Sequence, residues 1–292
     1  MSGKNFSVLH ANIRRLNANF ENFSDLLYQL NHSFSLIGLS EIKVNSQNDA
    51  NISNLYNIPG FDFNFQSSLS NAGGVGFYIS RNISYFVRED LSRRENEYES
   101  LWIEVKSDLH HNLICGVVYR HPNSDIDVFN NYINEISGKI NSENKFCIIM
   151  GDFNIDLLKS SHSNTEEFLN NLESYFFNPH ILQPTRITNH SATLIDNIFF
   201  NSITHHTISG NIVHDLSDHL PNFLIINKFS TLPKHFKITR RDYSNFNEDS
   251  FFKRFRQLSG QQFFLVMIHL YPLNYFMINY QTLLINISLF IS

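Results

Sequence analysis

Lys145-Phe-Cys-Ile-Ile-Met-Gly-Asp-Phe-Asn154 is an apolar run that stops on a glycine, a carboxylate and a carboxamide. A run of that length and composition reads as a buried strand, and its end delivers two polar side chains to a sheet edge. Asp152 and Asn154 are two apart, so in extended backbone both emerge on one face, with Phe153 turned into the core. An Asp can hold or polarise a water, and an Asn can donate to a phosphate oxygen without adding negative charge. Gly-Asp is also ordinary turn chemistry, so the meaning of this stretch rests on its company.

Several other segments end in the same way. Phe6 to Leu16 contains a strand ending at Asn12, and Phe34 to Glu41 another that ends on a carboxylate. Leu113 to Arg120 places the Tyr119 phenol and the Arg120 guanidinium at a strand end. Ala192-Thr-Leu-Ile-Asp196-Asn197-Ile-Phe-Phe and Leu216-Ser217-Asp218-His219-Leu220-Pro221 follow. A single strand-end Asp or Asn often only caps the next turn. Capping does not account for a whole series of such placements, all at predicted strand ends.

In this order and spacing the segments resemble the endonuclease/exonuclease/phosphatase superfamily, and within it the endonucleases of non-LTR retrotransposons. Gln183-Pro-Thr-Arg-Ile-Thr188, followed by Ser191-Ala-Thr-Leu-Ile-Asp196-Asn-Ile-Phe199, looks especially like the retrotransposon branch, and the resemblance runs from about Phe6 to about Asn227. It implies an α/β four-layer sandwich of two mixed β-sheets packed face to face and flanked by helices. It also implies a Mg²⁺-dependent (or Mn²⁺-dependent) phosphodiester hydrolase, a DNA endonuclease nicking a target-site duplex inside the cell, in the nucleus. Two alternatives share the sequence: a phosphodiesterase or phosphatase of the same superfamily acting on an inositol phosphate or sphingolipid, and an inactive element remnant.

Within that resemblance, residue type and place suggest a role for each candidate. Glu41 would bind the cation directly, since a hard divalent ion prefers carboxylate oxygen. Asn12 would support the same cation or a phosphate oxygen, and Asp218 would serve the metal side. Asp152 is the candidate for orienting and activating water, with Asn154 donating to the phosphate; the resemblance leaves open whether Asp152 or the Asp-His pair is the formal base. His219 should sit against the scissile phosphate, oriented or kept protonated by a nearby carboxylate, which the resemblance implies is Asp196. Tyr119 would hydrogen-bond a phosphate oxygen, and Arg120 would add positive charge at the substrate rim. Thr185 and Asn197 are candidates for phosphate contact and positioning.

Composition is compatible with these expectations. The 292 residues carry a formal net charge of −5, unevenly: residues 1–228 hold 15 Lys+Arg against 24 Asp+Glu, residues 229–292 hold 7 against 3. An acidic body argues against tight duplex binding by bulk charge, but not against a site that recruits cations to hold a phosphate. Cys115 and Cys147 lie inside apolar strands and read as buried, reduced thiols. No long apolar segment near the N-terminus suggests a secretory signal.

Apolar spacing predicts helices over Phe20–Leu30, Asp127–Ile140 and Asn164–Phe177, the last with Thr165 as a possible cap. The expected organisation is one catalytic domain over 1–228, a basic linker over 229–256 and an uncharged apolar tail over 257–292. The tail is too interrupted by polar residues to read as a membrane span, so no membrane is expected. It reads instead as the end of a truncated or shifted reading frame. No Asp-Asp dipeptide occurs, so the paired-Asp polymerase motif of a reverse transcriptase is absent.

Overall fold

The computed structural model describes residues 5–44, 52, 54–69, 72–107, 112–227, 229 and 231. All fall within the first of the chain's two units, Met1–His235. The linker expected over 229–256 and the tail over 257–292 lie outside the described residues, apart from Phe229 and Thr231.

Two sheets carry the fold. The first runs in the order β14 (Thr207–Asn211), β15 (Asn222–Ile226), β1 (Phe6–Asn12), β2 (Leu36–Ser40), β4 (Val75–Ser80), β3 (Phe61–Gln66). The second runs β10 (Asn178–Pro179), β13 (Asp196–Phe200), β9 (Phe146–Asp152), β8 (Leu113–Arg120), β7 (Tyr98–Val105), β5 (Tyr85–Val87), with β6 (Arg93–Arg94) also on β7. A small ribbon pairs β11 (Arg186–Ile187) with β12 (Ala192–Thr193). Both large sheets are mixed: β1 pairs parallel with β2 and β8 parallel with β9, while the remaining ladders are antiparallel.

The period-2 alternation of each strand divides the apolar residues between layers. Phe6 and Val8 of β1 meet Val117, Met150 and Ile198 of the other sheet in a central core. Their neighbours Leu9 and Ala11 face outward, under α1 (Leu16–Leu30), which buries Leu16, Phe23 and Leu26. On the far side, Trp102, Ile114, Cys147, Ile149 and Phe199 lie under α2 (Ile126–Ser142) and α3 (Ser163–Glu173), which contribute Phe129, Ile133, Ile136, Phe168 and Leu172. The result is helix, sheet, sheet, helices: the four-layer sandwich expected from the sequence. Both cysteines are free and buried. No helix among the described residues is long and apolar enough to cross a membrane.

Helix boundaries differ from the periodicity for tertiary reasons. α1 starts four residues before Phe20, because the Arg15 and Leu16 amides donate to the carbonyls of Glu41 and Ile42 at 2.8 and 2.9 Å. α3 stops at Glu173, short of Phe177: Phe176 is left-handed (φ 65°) and the Phe177 amide turns back to the Leu172 carbonyl. Thr165 is buried within α3, and its N-cap is His162. Past β15, Phe229 is buried against Phe6, Phe146 and His205.

Candidate active site

The strand ends gather at one edge of the sandwich. Asn12 closes β1, and its Nδ2 donates to Glu41 Oε1 at 3.0 Å and to Asp152 Oδ2 at 2.8 Å. One amide thus joins the first sheet to the second. Asp152 closes β9 opposite Asp196, the first residue of β13, in register. Asp196 Oδ2 accepts from His219 Nδ1 at 2.8 Å, and the same nitrogen lies 3.9 Å from Asp152 Oδ2. Asn12, Asp152, Asp196 and His219 are all buried, while Glu41 is partly open.

Local backbone explains these placements. Asp152 Oδ1 accepts the Asn154 amide at 3.0 Å, so the same carboxylate both shapes the turn and faces the site. Glu41 takes a left-handed φ of 52°, uncommon for a residue other than Gly, Asn or Asp. Its conformation is held by its neighbours, since the Ile42 and Lys43 amides donate to the Gly74 and Gly73 carbonyls. Ser217 Oγ donates to the Asn12 carbonyl at 2.8 Å, fastening the His219 loop to β1.

The electrostatics separate the groups. Burial pushes the Asp152 carboxyl up, and the nearby Asp196 adds to it. Burial disfavours charge on His219, but Asp196 outweighs it and raises the imidazole to about 9. For Glu41, burial acts upward, yet the bonds from Asn12 and Lys43 win and leave it lowered. Tyr119, opposite Asp152 in register, is raised by burial and by Glu41, Asp152 and Glu99, so it stays a phenol that can donate.

A raised histidine pKa fixes a sign. The His219 contribution to stability is fully present below its ordinary 6.5 and is lost as pH rises through about 9. The melting temperature of the wild type should therefore fall across that window relative to His219→Gln, whose amide does not titrate. Parallel melting curves for the two proteins would contradict the Asp196–His219 ion pair.

Several expected site residues sit elsewhere in the chemistry. Asp218 does not join the cluster: Arg14 Nη1 holds its Oδ1 at 2.7 Å and Arg186 Nε its Oδ2 at 2.9 Å. Arg120 is 4% exposed and faces inward. It donates to the Phe153 and Asn154 carbonyls, each at 2.8 Å, and to Ser124, while Asn154 Nδ2 returns a bond to the Arg120 carbonyl. The guanidinium and the Asn154 amide therefore clamp the turn that carries Asp152. Thr185 Oγ1 accepts from the Ile195 and Asp196 amides, positioning Asp196. Asn197 Oδ1 accepts from the His180 and Ile181 amides and Nδ2 donates to the Ile181 carbonyl, stitching the segment after β10.

Sequence reading missed His10. It lies two residues before Asn12 on β1, hence on the same face, and bonds Ser40 Oγ at 3.2 Å. Burial lowers it to about 4, keeping it neutral beside Asp196 and His219. The period-2 spacing from Asn12 was the available signal. Another missed group is Glu99, fully buried, bonded by His121 at 3.1 Å and by Ser68.

Asp152, Asp196 and His219 offer ligand atoms within 4.8 Å of one another. With His219 Nδ1 already given to Asp196 and the ring held protonated, that trio suits proton handling better than metal ligation. Glu41 and Asp152, drawn to the two sides of one Asn12 amide, are the oxygen set that fits a hard divalent cation.

The sequence profile described as the Endonuclease/Exonuclease/phosphatase family matches residues 9–219. No curated protein matches the chain in sequence. Among solved structures, the fold is similar to the endonuclease domain of TRAS1, a telomere-specific non-LTR retrotransposon, at TM-score 0.58 and 12% identity, covering 77% of this chain and 99% of that one. It is also similar to the Xenopus laevis APE2 catalytic domain (0.60, 15%, 79% and 94%) and to the AP endonuclease LMAP from Leishmania major (0.64, 10%, 77% and 88%).

Proposed function

The chain belongs to the endonuclease/exonuclease/phosphatase family, and from that premise we propose that it is a Mg²⁺-dependent DNA endonuclease of the non-LTR retrotransposon kind, nicking a target duplex in the nucleus. The carrying observation is the continuous link from Glu41 through Asn12 and Asp152 to His219 and Asp196, one polar cluster drawn from five separated segments. The retrotransposon branch is favoured by Gln183–Thr188 and Ser191–Phe199, the stretches that flank and contain Asp196.

Each residue has a task in hydrolysing a phosphodiester. Asp152, whose carboxyl is raised toward neutrality, is suited to take a proton from the attacking water at Oδ2. His219 has Nδ1 committed to Asp196, which leaves Nε2 to donate to a phosphate oxygen. Tyr119 supplies a phenol donor from the end of β8. Glu41 and Asp152, with Asn12 between them, would hold a divalent cation, which when bound supplies neutralisation of phosphate charge. Arg120, Asn154 and Thr185 act behind these groups, fixing the backbone on which Asp152 and Asp196 ride.

The test is nicking of supercoiled plasmid by the full chain with Mg²⁺ and with EDTA, beside a panel of inositol phosphates and sphingomyelin. Metal-dependent nicking is expected. Faster turnover of a small phosphate ester or lipid would move the protein to another branch of the family, and no hydrolysis of any substrate would mark an inactive remnant.

A further inference from the structure

We propose that Arg14 and Arg186 form a binding site for a backbone phosphate of the DNA, occupied in the free protein by the Asp218 carboxylate, which the phosphate displaces. The inference rests on the DNA reading above. Asp218 is shared between two guanidinium groups, one on each oxygen, at 2.7 and 2.9 Å. A phosphodiester presents the same pattern to its surroundings: one negative charge spread over two equivalent oxygens. Two cations against one anion leave this trio with one uncompensated positive charge, on a body that is otherwise acidic.

Exposure distinguishes this set from the buried pairs beside it. The side chains of Arg14, Arg186 and Asp218 are 57%, 41% and 24% exposed, whereas those of His219 and Asp196 are 7% and 1%. An ion pair that remains in water is weak and exchanges easily, so a better-placed anion can take its place. Arginine is also suited to the incoming group, since its planar fork matches phosphate as well as carboxylate.

Position ties the set to the reacting centre. Asp218 precedes His219 in the chain, and Arg186 forms an isolated bridge with His219. The Arg14 amide donates to Asn12 Oδ1 at 3.0 Å. Arg14 and Arg15 are consecutive non-glycine residues at positive φ, 51° and 118°, a strained turn. The bonds that the Arg14 and Arg15 amides donate to Asn12 Oδ1 and the Glu41 carbonyl hold that turn, and it carries Arg14 across to Asp218. A phosphate held here would lie next to the one at His219, on the same strand or across the groove.

The test is equilibrium binding of a fluorescent DNA duplex to the full chain in EDTA, without turnover, over a series of salt concentrations. Arg14→Gln and Arg186→Gln should each weaken binding for all sequences alike and lower the slope of log K against log salt by about 1. Asp218→Asn should tighten binding several-fold, because the competing carboxylate charge is gone. A damaged fold would not produce that gain. Wild-type slopes in both arginine variants, or weaker binding by Asp218→Asn, would overturn the site while leaving the DNA reading standing. A wild-type chain with no salt-dependent affinity for DNA would overturn the DNA reading and the site with it.

Discussion

Asp152→Asn is expected to lower plasmid nicking by at least about 10²-fold, the usual loss when a proton-transferring group is removed, with no loss of thermal stability. The two halves of this expectation come from one fact. Asp152 is buried beside Asp196, and both effects push its carboxyl toward the neutral form. An isosteric amide removes that buried charge, which offsets the loss of one acceptor facing the Asn12 or Asn154 donor, while it removes the proton acceptor from the reaction. His219→Ala should cost as much activity but also stability, since it strands the Asp196 carboxylate, whose Oδ1 has no partner among the described residues. Purified Asp152→Asn that nicks at near the wild-type rate would remove Asp152 from the mechanism.

The contrast between these substitutions shows what a sequence exposes and what it hides. The convergence of Asn12, Glu41, Tyr119 and Asp152 was legible because polar residues that close an apolar run collect at a sheet edge, whereas Asp196, which opens β13, and His219, on the loop before β15, were placed by the family resemblance. Arg120, Thr185, Asn197 and Asp218 were legible as polar residues in the right segments, but not in their targets. A guanidinium can donate to a phosphate or to a backbone carbonyl, and only the fold decides that Phe153 and Asn154 stand within 2.8 Å of Arg120. Asp218 likewise depends on Arg14, 204 positions away. The layers themselves were readable from period-2 and helical spacing, whereas helix ends depended on bonds between distant segments, such as Arg15 to Glu41.

Gly151→Ala should damage the protein more than any single change at a functional side chain. β8 and β9 lie parallel with Val118 opposite Gly151. A Cβ at Gly151 would stand 1.9 Å from the Val118 carbonyl oxygen, with the Val118 carbonyl carbon and amide nitrogen at 2.8 and 3.1 Å. Side chains can turn away from an intruding methyl, but here the neighbour is main chain, so the strands must part. Parting them breaks the central ladder of the second sheet and the alignment of Tyr119 with Asp152, the next pair in the register. The expected cost is at least about 3 kcal/mol, the upper end for overpacking, with any soluble fraction inactive. Gly210→Ala is the control. That added methyl meets only the Phe223 ring, at 3.4 Å, in the edge strand β14, and should change stability by no more than about 0.5 kcal/mol. Equal melting temperatures for the two variants would mean that the strands do not approach so closely. The glycine would then be a turn residue, and the aspartate after it would owe its position to something other than contact between two buried strands.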